Sequence, residues 1–491
     1  MANKIFSSVR PRAVVSETPS QTAGEENSET VASPYEGKTA IVVGGGPAGS
    51  VAGILLAKRG FNVKVIEKRS ISANDGSSNH RSIILLIAPE VAEFLTDMGI
   101  SVATEPSDEG VTIFEKSTMM MSNGKVREGR VTTQKEKNKG FIVERHVLAE
   151  SILKMGRSQN LPNLEYIFDS KCEGVDVDSR VVKFSKPDGE RKEFSYDLLI
   201  GADGIKSEVR EALQSAGHLK FSQRAAGRNY VSIRDMPLPK EAPKEVLDGL
   251  VLGKIVFGSF KKVWNGPKLV VLYQTKNGRV QANLAGTKGC FEAIQGRELE
   301  WITKAAPECF PKDYFEPFVE QTSKARPSPV GPVTYCSPYV GPKEALIGDA
   351  CHSATPSLGI GANRAILDAR DLDVALGNSQ GNLTEALKNY DEECRPQVAA
   401  IQELEFVTPD AEIEGVNPLW YAFARVYFPV HFLGNQLLPS IIPAPAHLLL
   451  RSSTVTPVEA LEQFKRAVAV WTAIAACTAA VPAYFIIKLL L

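Results

Sequence analysis

The stretch that decides the fold is "GKTAIVVGGGPAGSVAGILLAKRGFNVKVIEKR", residues 37–69. Two short apolar runs, "TAIVV" and "NVKVIE", are typical of buried strands, and the segment between them predicts a helix closed by a glycine. At the start of this helix, Gly44, Gly46 and Gly49 have the G-x-G-x-x-G spacing. These glycines permit a tight turn, close approach of the backbone to a diphosphate, and close packing of the helix on the strand.

An acidic residue after the second strand completes this pattern. Glu67 follows the glycines by about 20 residues, where a carboxylate can accept hydrogen bonds from a ribose. The helix N-terminus favours an anion through its free N–H groups and its dipole. Glycines also gather at turns for steric reasons alone, but here strand, helix, strand and acid agree. The stretch therefore predicts binding of a dinucleotide that contains adenosine.

Composition bounds the function. A chain of 491 residues is long enough for two or three domains. The net charge of −1 does not indicate a nucleic-acid partner. The seven cysteines are scattered without a C-x-x-C pair, which predicts reduced thiols, and no Cys/His cluster indicates a protein-bound metal. Residues 1–36 lack apolar periodicity and predict a disordered lead, although Lys4, Arg10 and Arg12 also resemble the start of a transit peptide.

Two further motifs repeat the logic of a strand, a turn with glycine and aspartate, and a helix. "YDLLIGADGIKSEVR" (196–210) contains Asp203 and Gly204 at its turn. "EALIGDACHSATPSLGIGANRAILDA" (344–369) contains Gly348 and Asp349, followed by a glycine-rich helix start. The segment lacks the third glycine and the downstream acid of a second dinucleotide fingerprint, so the sequence predicts one dinucleotide-binding domain rather than two.

The three motifs in this order resemble the single-component FAD-dependent aromatic hydroxylases, the group A flavoprotein monooxygenases, from Lys38 to about Ala400. The resemblance implies an α/β fold: a Rossmann-like FAD-binding domain with an inserted β-rich substrate domain and a C-terminal helical region. It also implies FAD as cofactor, NADPH as co-substrate and O2 as oxidant. The implied reaction is hydroxylation of an electron-rich aromatic compound or activated alkene through a flavin C4a-hydroperoxide, in which the cofactor supplies the reactive oxygen.

The family's functional residues transfer to matching positions of this sequence. Asp203 and Gly204 are implied in FAD and NADPH handling, and Asp349 in binding the ribityl chain. Pro356 is implied beside the flavin ring, and His352 is expected to brace its loop rather than act as a base. The complete implied cofactor set is Gly44, Gly46, Pro47, Ala48, Gly49, Glu67, Lys68, Arg69, Arg81, Arg145, Asp203, Gly204, Asp349, Pro356, Gly359, Gly361, Ala362 and Asn363; Pro356 and Arg81 are also assigned to catalysis.

Within the family, the sequence is similar to kynurenine 3-monooxygenase at "NHRSIILLI" (79–87) and "IEKR" (66–69). The substrate positions differ, since Lys116 stands where that enzyme has a carboxylate-binding arginine and Arg130 where it has a tyrosine. Lysine cannot make the bidentate contact of arginine, so we expect a different substrate. Arg364 is a further departure and is expected as a bulky charge beside the flavin.

Four segments between the second and third motifs predict strands of the substrate domain: "RNYVSIRDM", "GLVLGKIVFGSF", "KLVVLYQT" and "RVQANLAG". Trp264 and Tyr273 are candidates for its pocket or for ordinary core. The predicted domains are a lead (1–36), an FAD-binding domain in three parts (37–110, 141–215, 335–400), a substrate domain in two parts (111–140, 216–334), a helical region (401–466) and a transmembrane tail (467–491).

The tail prediction rests on "AVAVWTAIAACTAAVPAYFII" (467–487), an uncharged run long enough to cross a bilayer. Lys465 and Arg466 before it predict a cytosol-facing catalytic domain on the endoplasmic reticulum or mitochondrial outer membrane. The aromatic segment 417–450 suits an interfacial collar, which implies a lipophilic substrate. Burial in the globule or in a dimer interface is the alternative, because the run is rich in alanine and contains Pro482.

Two other functions remain open from the sequence. A membrane-associated epoxidase or a geranylgeranyl-reductase-type flavin reductase would use the same fold on an isoprenoid or quinone. A flavin-bound scaffold without turnover would use the cofactor only structurally. Flavin halogenases are disfavoured because the sequence has no W-x-W-x-I-P stretch.

Overall fold

The computed structural model describes most of the chain after residue 32. The described residues are 33–70, 84–100, 112–113, 116–130, 140–251, 255–274, 278–356, 358–407, 427, 430–431, 433–435, 437–438, 442–450 and 455–490. Residues Pro34–Leu491 form one compact unit, to which all elements below belong. Arg81, the neighbouring "NHRS" residues and half of the 417–450 segment lie outside the described residues.

The strands of the described residues are β1 (Thr39–Val43), β2 (Asn62–Ile66), β3 (Ile84–Ile87), β4 (Thr112–Ile113), β5 (Lys116–Met120), β6 (Val126–Arg130), β7 (Phe141–Glu144), β8 (Leu164–Ile167), β9 (Lys171–Asp176), β10 (Val181–Ser185), β11 (Arg191–Ser195), β12 (Leu198–Gly201), β13 (Lys220–Arg224), β14 (Arg228–Met236), β15 (Ile255–Ser259), β16 (Leu269–Gln274), β17 (Val280–Thr287), β18 (Ser328–Pro329), β19 (Val333–Ser337) and β20 (Glu344–Leu346). The helices are α1 (Pro47–Lys58), α2 (Pro89–Asp97), α3 (Arg145–Ser158), α4 (Glu208–Ser215), α5 (Lys244–Val251), α6 (Glu298–Ala305), α7 (Phe315–Lys324), α8 (Asp349–His352), α9 (Gly361–Asn378), α10 (Leu383–Val407), α11 (Ala446–Leu449) and α12 (Pro457–Leu490).

The central sheet is parallel and has the order β20-β12-β1-β2-β8. Its middle strand β1 is fully buried at Ile41 and Val42, because a parallel sheet covered on both faces needs apolar residues on both sides of each strand. Helix α1 lies so close to β2 that a Cβ at Gly53 would come within 2.6 Å of Val65 Cγ2. The strand, helix and strand predicted from residues 37–69 are present.

A second sheet has seven strands in the order β18-β14-β17-β16-β15-β5-β6. Burial alternates along β17, so one face packs on a separate apolar core that includes Trp301, Phe310 and Phe318. The predicted strand at "GLVLGKIVFGSF" is wrong in its first part, because Gly249–Val251 end helix α5. That helix buries Val246 and Leu250, whose spacing fits a helical face.

The core of the central sheet begins nearer the N-terminus than the sequence predicts. Tyr35 is 2% exposed, stacks on Phe61 with 4.6 Å between ring centroids, and donates its hydroxyl to the Leu376 carbonyl at 2.7 Å. The predicted lead of residues 1–36 is therefore wrong at its C-terminal end, since Tyr35 belongs to the core of the central sheet.

The C-terminal helices form a third apolar cluster. Ile401 and Leu404 of α10 pack in it with Ala460 and Phe464 of α12. No helix among the residues that the structure describes is long and apolar enough to cross a membrane, so the predicted transmembrane tail is not supported. The first turns of α12 instead pack on α10, where Lys465 Nζ lies 3.0 Å from Glu403 Oε1.

Candidate functional site

The three motifs meet at one edge of the central sheet. Strands β1, β12 and β20 are parallel neighbours, and their carboxyl ends lead into Gly44, Asp203 and Gly348. A Cβ at Gly44 would lie 2.3 Å from the Ala202 carbonyl oxygen, and a Cβ at Gly348 would lie 3.8 Å from Ala48 Cβ. Because open parallel sheets bind ligands beyond their carboxyl ends, these turns together form one candidate site.

The glycines of the first turn differ in their surroundings. Gly44 has φ +106°, which favours glycine, and Gly49 packs so closely that a Cβ would lie 1.9 Å from the Gly44 carbonyl oxygen. Gly46, the N-cap of α1, has no atom within 4 Å of its Cβ position. Two glycines are thus required by packing and conformation, and the third leaves open space at the helix N-terminus, beside Pro47.

The carboxylate of Glu67 is held by the first turn itself. Its Oε2 accepts the Gly45 N–H at 2.9 Å, and its Oε1 accepts the backbone N–H and the Nε of Arg69, each at 2.9 Å. Burial alone would raise the pKa of Glu67, but the bonds from Arg69 and Gly45 outweigh it and lower the pKa. Glu67 therefore fixes the turn and stays charged, while the neighbouring Lys68 is exposed.

Asp203 accepts a hydrogen bond from the first turn of α4, whose N-cap residue is Ser207. Its Oδ2 accepts the Glu208 N–H at 2.8 Å, whereas its Oδ1 is buried and has no hydrogen-bond partner. Burial raises the pKa of Asp203 despite these N-terminal donors. Gly204 has φ +81° and no atom within 4 Å of its Cβ position. An unsatisfied carboxylate oxygen can accept a hydrogen bond from a ligand hydroxyl.

Arg210 connects the second motif to the third, a role that the sequence analysis missed. Its guanidinium donates to the Ala350 and Ile205 carbonyl oxygens, each at 2.8 Å, and lies over the Phe221 ring at 4.1 Å. Arg210 is 6% exposed. An arginine inside an otherwise apolar helix face was the available signal, since a buried guanidinium must find acceptors.

Asp349 begins α8 directly after the third strand. Gly348 before it has φ +61°, a conformation that glycine adopts without strain. Asp349 is half-buried, and no hydrogen bond joins its carboxylate to another described residue. The carboxylate is therefore available to a ligand at the sheet edge.

Asp368 of α9 holds this turn through hydrogen bonds to its backbone and side chains. Its Oδ2 accepts the Gly348 N–H at 2.7 Å and lies 2.5 Å from His352 Nε2, and its Oδ1 accepts Arg364 Nε at 2.7 Å. Burial alone would raise the pKa of Asp368, but His352 and Arg364 hold it well below its usual range. His352 therefore braces the turn, as predicted.

Arg364, expected as a bulky charge beside the flavin, is 7% exposed and paired with Asp368 and Asp371. Two carboxylates offset the cost of burying its guanidinium and so determine where it points. Cys351, His352 and Asp368 also offer ligand atoms within 4.8 Å of one another. Since Arg364 already neutralises Asp368 and burial raises the pKa of the Cys351 thiol, the cluster is an ion-pair network rather than a metal centre.

The loop after α8 leads to the N-terminus of α9. Pro356 is exposed, and Gly361 has no atom within 4 Å of its Cβ position. The first N–H groups of a helix have no intrahelical acceptor, so those of Gly361, Ala362 and Asn363 can face a ligand. The Asn363 side chain is not available, because it donates to the Leu86 carbonyl and accepts the Ala88 N–H, both at 2.7 Å.

The residues predicted to contact the substrate, and Arg145 of the predicted cofactor set, lie in different parts of the structure. Lys116 and Arg130 lie directly opposite each other on β5 and β6. Tyr273 is 3% exposed and packs against Ile142 where the second sheet meets β7, with its hydroxyl 2.9 Å from Gln281 Oε1. Trp264 is half-buried beneath Arg297, whose guanidinium lies 4.4 Å from the ring centroid. Arg145 is exposed at the start of α3.

These features fit FAD. Space is left at Gly46, Gly204 and Gly361, each beside backbone N–H groups or a helix N-terminus. Asp203 and Asp349 offer carboxylate oxygens that no described residue satisfies. An elongated ligand with a diphosphate and several hydroxyl groups matches this donor and acceptor set.

Comparison of the sequence with known proteins also points to binding of FAD. Residues 38–248 and 331–404 match the family described as FAD binding domain. Violacein synthase of Chromobacterium violaceum is 27% identical over 445 residues, covering 88% of this chain and 98% of that protein. Kynurenine 3-monooxygenase of Legionella pneumophila (strain Corby) is 24% identical over 389 residues, covering 75% of this chain and 78% of that enzyme.

Solved structures share the fold. Pseudomonas aeruginosa PqsL in complex with 2-aminobenzoylacetate superposes with a TM-score of 0.59 at 19% identity, covering 79% of this chain and 99% of PqsL. For 2-methyl-3-hydroxypyridine-5-carboxylic acid oxygenase the TM-score is 0.57 at 20% identity, with coverage of 84% and 95%. With most of the chain matched and its motifs gathered at one sheet edge, the chain belongs to the FAD-binding-domain family of FAD-dependent monooxygenases.

Proposed function

We propose that the chain is an NADPH-dependent FAD monooxygenase that inserts one atom of O2 into an electron-rich aromatic substrate. The observation that carries the proposal is the convergence of the three motif turns at the carboxyl edge of β1, β12 and β20. Bound and reduced FAD supplies the chemistry that activates O2. The protein's part is to bind, orient and shield the reactants.

The chain's residues divide this work. Gly46, Pro47 and Ala48 at the N-terminus of α1 hold the diphosphate, where free N–H groups favour an anion. Asp349 accepts hydrogen bonds from the ribityl hydroxyls, and the buried Oδ1 of Asp203 accepts one from FAD or NADPH. The resemblance also assigns Arg69, Arg145 and Arg81 to binding of the cofactor, and Arg69 pairs with Glu67 at the end of β2.

The start of α9 provides electrostatics for the flavin ring. Its N–H groups at Gly361, Ala362 and Asn363, together with the helix dipole, stabilise negative charge that develops on a reduced ring. Pro356 and Gly359 shape the surface on which the ring lies. Glu67 and Asp368 act indirectly, because they fix the two turns that present these groups.

An aromatic substrate is supported by the names of the relatives. Kynurenine and 2-methyl-3-hydroxypyridine-5-carboxylic acid appear in the names of similar enzymes, and PqsL binds 2-aminobenzoylacetate. Lys116 and Arg130 differ from the kynurenine 3-monooxygenase pattern, which favours a different compound of this class.

The test uses purified full-length protein with NADPH and labelled dioxygen, against a panel of anilines, phenols, kynurenine and isoprenoids. We expect bound FAD, slow NADPH oxidation alone, faster oxidation with one panel member, and one labelled oxygen atom in its product. Asp349→Ala serves as the FAD-deficient control. A product with two added hydrogens and no label would instead establish a reductase, and FAD binding without any turnover would establish a scaffold.

A further inference from the structure

Helix α10 supports the loop between α8 and α9 at two points, once through Thr334 and once by a direct hydrogen bond. Gln402 Nε2 donates to the Thr334 carbonyl at 2.6 Å, and Thr334 Oγ1 lies 2.6 Å from Ser353 Oγ. One turn later, Glu405 Oε1 accepts the Thr355 hydroxyl at 2.7 Å. Because residues three apart lie on one helix face, both contacts come from the same side of α10.

Glu405 is an unusual residue for this position. It is 0% exposed, although it lies on a helix whose neighbouring Glu403 is exposed and paired with Lys465. Its contact, Thr355, directly precedes Pro356, at the start of the segment that contains Gly359 and Gly361. A buried carboxylate is therefore one hydrogen bond away from the loop assigned to the flavin ring.

We propose that Glu405 is a positioning residue for the flavin-facing loop and that gain or loss of its proton changes how Thr355 and Pro356 lie against the ring. This inference rests on the proposed placement of FAD. The charged carboxylate accepts the Thr355 hydroxyl, whereas the neutral acid has one oxygen that donates and competes for other partners. Protonation of Glu405 thus changes the position of Pro356 through Thr355, although Glu405 does not touch the ring.

The surroundings favour titration near neutral pH. Burial raises the pKa of Glu405 to about 7, although the hydrogen bonds from Thr355 oppose the shift. From β19 it faces Tyr335, whose pKa is raised to about 12 by burial, and Arg224 of β13 lies 5.6 Å from the Tyr335 ring centroid. Its own helix contributes Gln402, which is neutral. Tyr335 therefore stays neutral while Glu405 titrates.

The test compares wild type with Glu405→Gln, Thr355→Val and the matched control Glu403→Gln, all as FAD-loaded full-length protein. The visible absorption of bound FAD is recorded from pH 5.5 to 8.5 in steps. We expect a sigmoidal change with a midpoint near pH 7 in wild type and in Glu403→Gln, and its loss in Glu405→Gln. In Thr355→Val the midpoint should move to higher pH, because the carboxylate loses a donor.

A second readout needs no flavin. The carboxyl of Glu405 binds its proton more tightly in the folded than in the unfolded state, so its contribution to stability is lost as pH rises from about 4.5 to about 7. The melting temperature of apo Glu405→Gln should therefore rise relative to wild type over this range. An unchanged pH profile in both readouts would overturn the proposal. If FAD does not bind at all, the proposed function fails, while the melting profile still reports on Glu405.

Discussion

Two glycines of the first motif serve different ends at the scale of single residues. Gly49 has no room for a side chain, since a Cβ would lie 1.9 Å from the Gly44 carbonyl oxygen, whereas Gly46 faces open space. Backbone atoms cannot move aside as a flexible side chain can, so a side chain at Gly49 lowers the stability of the fold. A side chain at Gly46 instead lowers the affinity for the ligand, because it occupies the space left for it.

We therefore expect Gly46→Ala to lower FAD affinity at least tenfold, about 1.4 kcal/mol, by crowding the diphosphate. Its apo protein should lose no more than about 1 kcal/mol of unfolding free energy, because φ −71° suits alanine. Gly49→Ala should instead lose about 1–3 kcal/mol without FAD present. Titration with FAD and urea unfolding of the apo proteins measure both. Equal stability losses in the two variants would contradict this division.

At the scale of elements, α8 and α9 are joined by one carboxylate. Asp368 holds Gly348, His352 and Arg364 at once, so the turn that presents Asp349 depends on the helix that follows it in the chain. Removing one member of a buried ion pair leaves charge without compensation, which costs about 3–5 kcal/mol.

Asp368→Asn should accordingly lower the unfolding free energy by about 3 kcal/mol or more at pH 7. The folded-state pKa of Asp368 lies below its unfolded value, so the stabilisation is present above about pH 4 and disappears as pH falls further. The difference from wild type should shrink in acid. Asp373→Asn, on the same helix and paired with the partly exposed Arg59, is the control and should cost about 1 kcal/mol or less. A difference independent of pH would argue against the charge network.

At the scale of the whole molecule, the start of the described chain is tied to a helix more than 300 residues later. Tyr35 fills a buried position beside Phe61 and bonds to the Leu376 carbonyl of α9. This contact joins the two ends of the central domain, which the second sheet separates in sequence.

Tyr35→Phe should cost about 1 kcal/mol of unfolding free energy by removing one buried hydrogen bond. Tyr35→Ala should cost about 3–5 kcal/mol, because it also leaves a cavity. Urea unfolding followed by circular dichroism gives both values. A Tyr35→Ala protein as stable as wild type would show that the segment is a dispensable lead after all.

The sequence alone determined the local pieces of this protein. Residues 37–69 form the predicted strand, helix and strand because periodicity, glycine spacing and strand ends act over short ranges. The second and third motifs also lie at strand ends, and the family follows from their order. The domain boundaries and the transfer of ligand roles to single residues stay predictions.

Only the tertiary structure decided what depends on distant partners. Arg364 is buried because Asp368 and Asp371 pair with its guanidinium, and residues 249–251 end a helix because Val246 and Leu250 of that helix pack in the core of the second sheet. Glu405 looks like any surface glutamate in the sequence, yet α10 carries it beside Thr355. A residue's neighbours in space set its burial and charge, and those neighbours come from segments that local patterns do not connect.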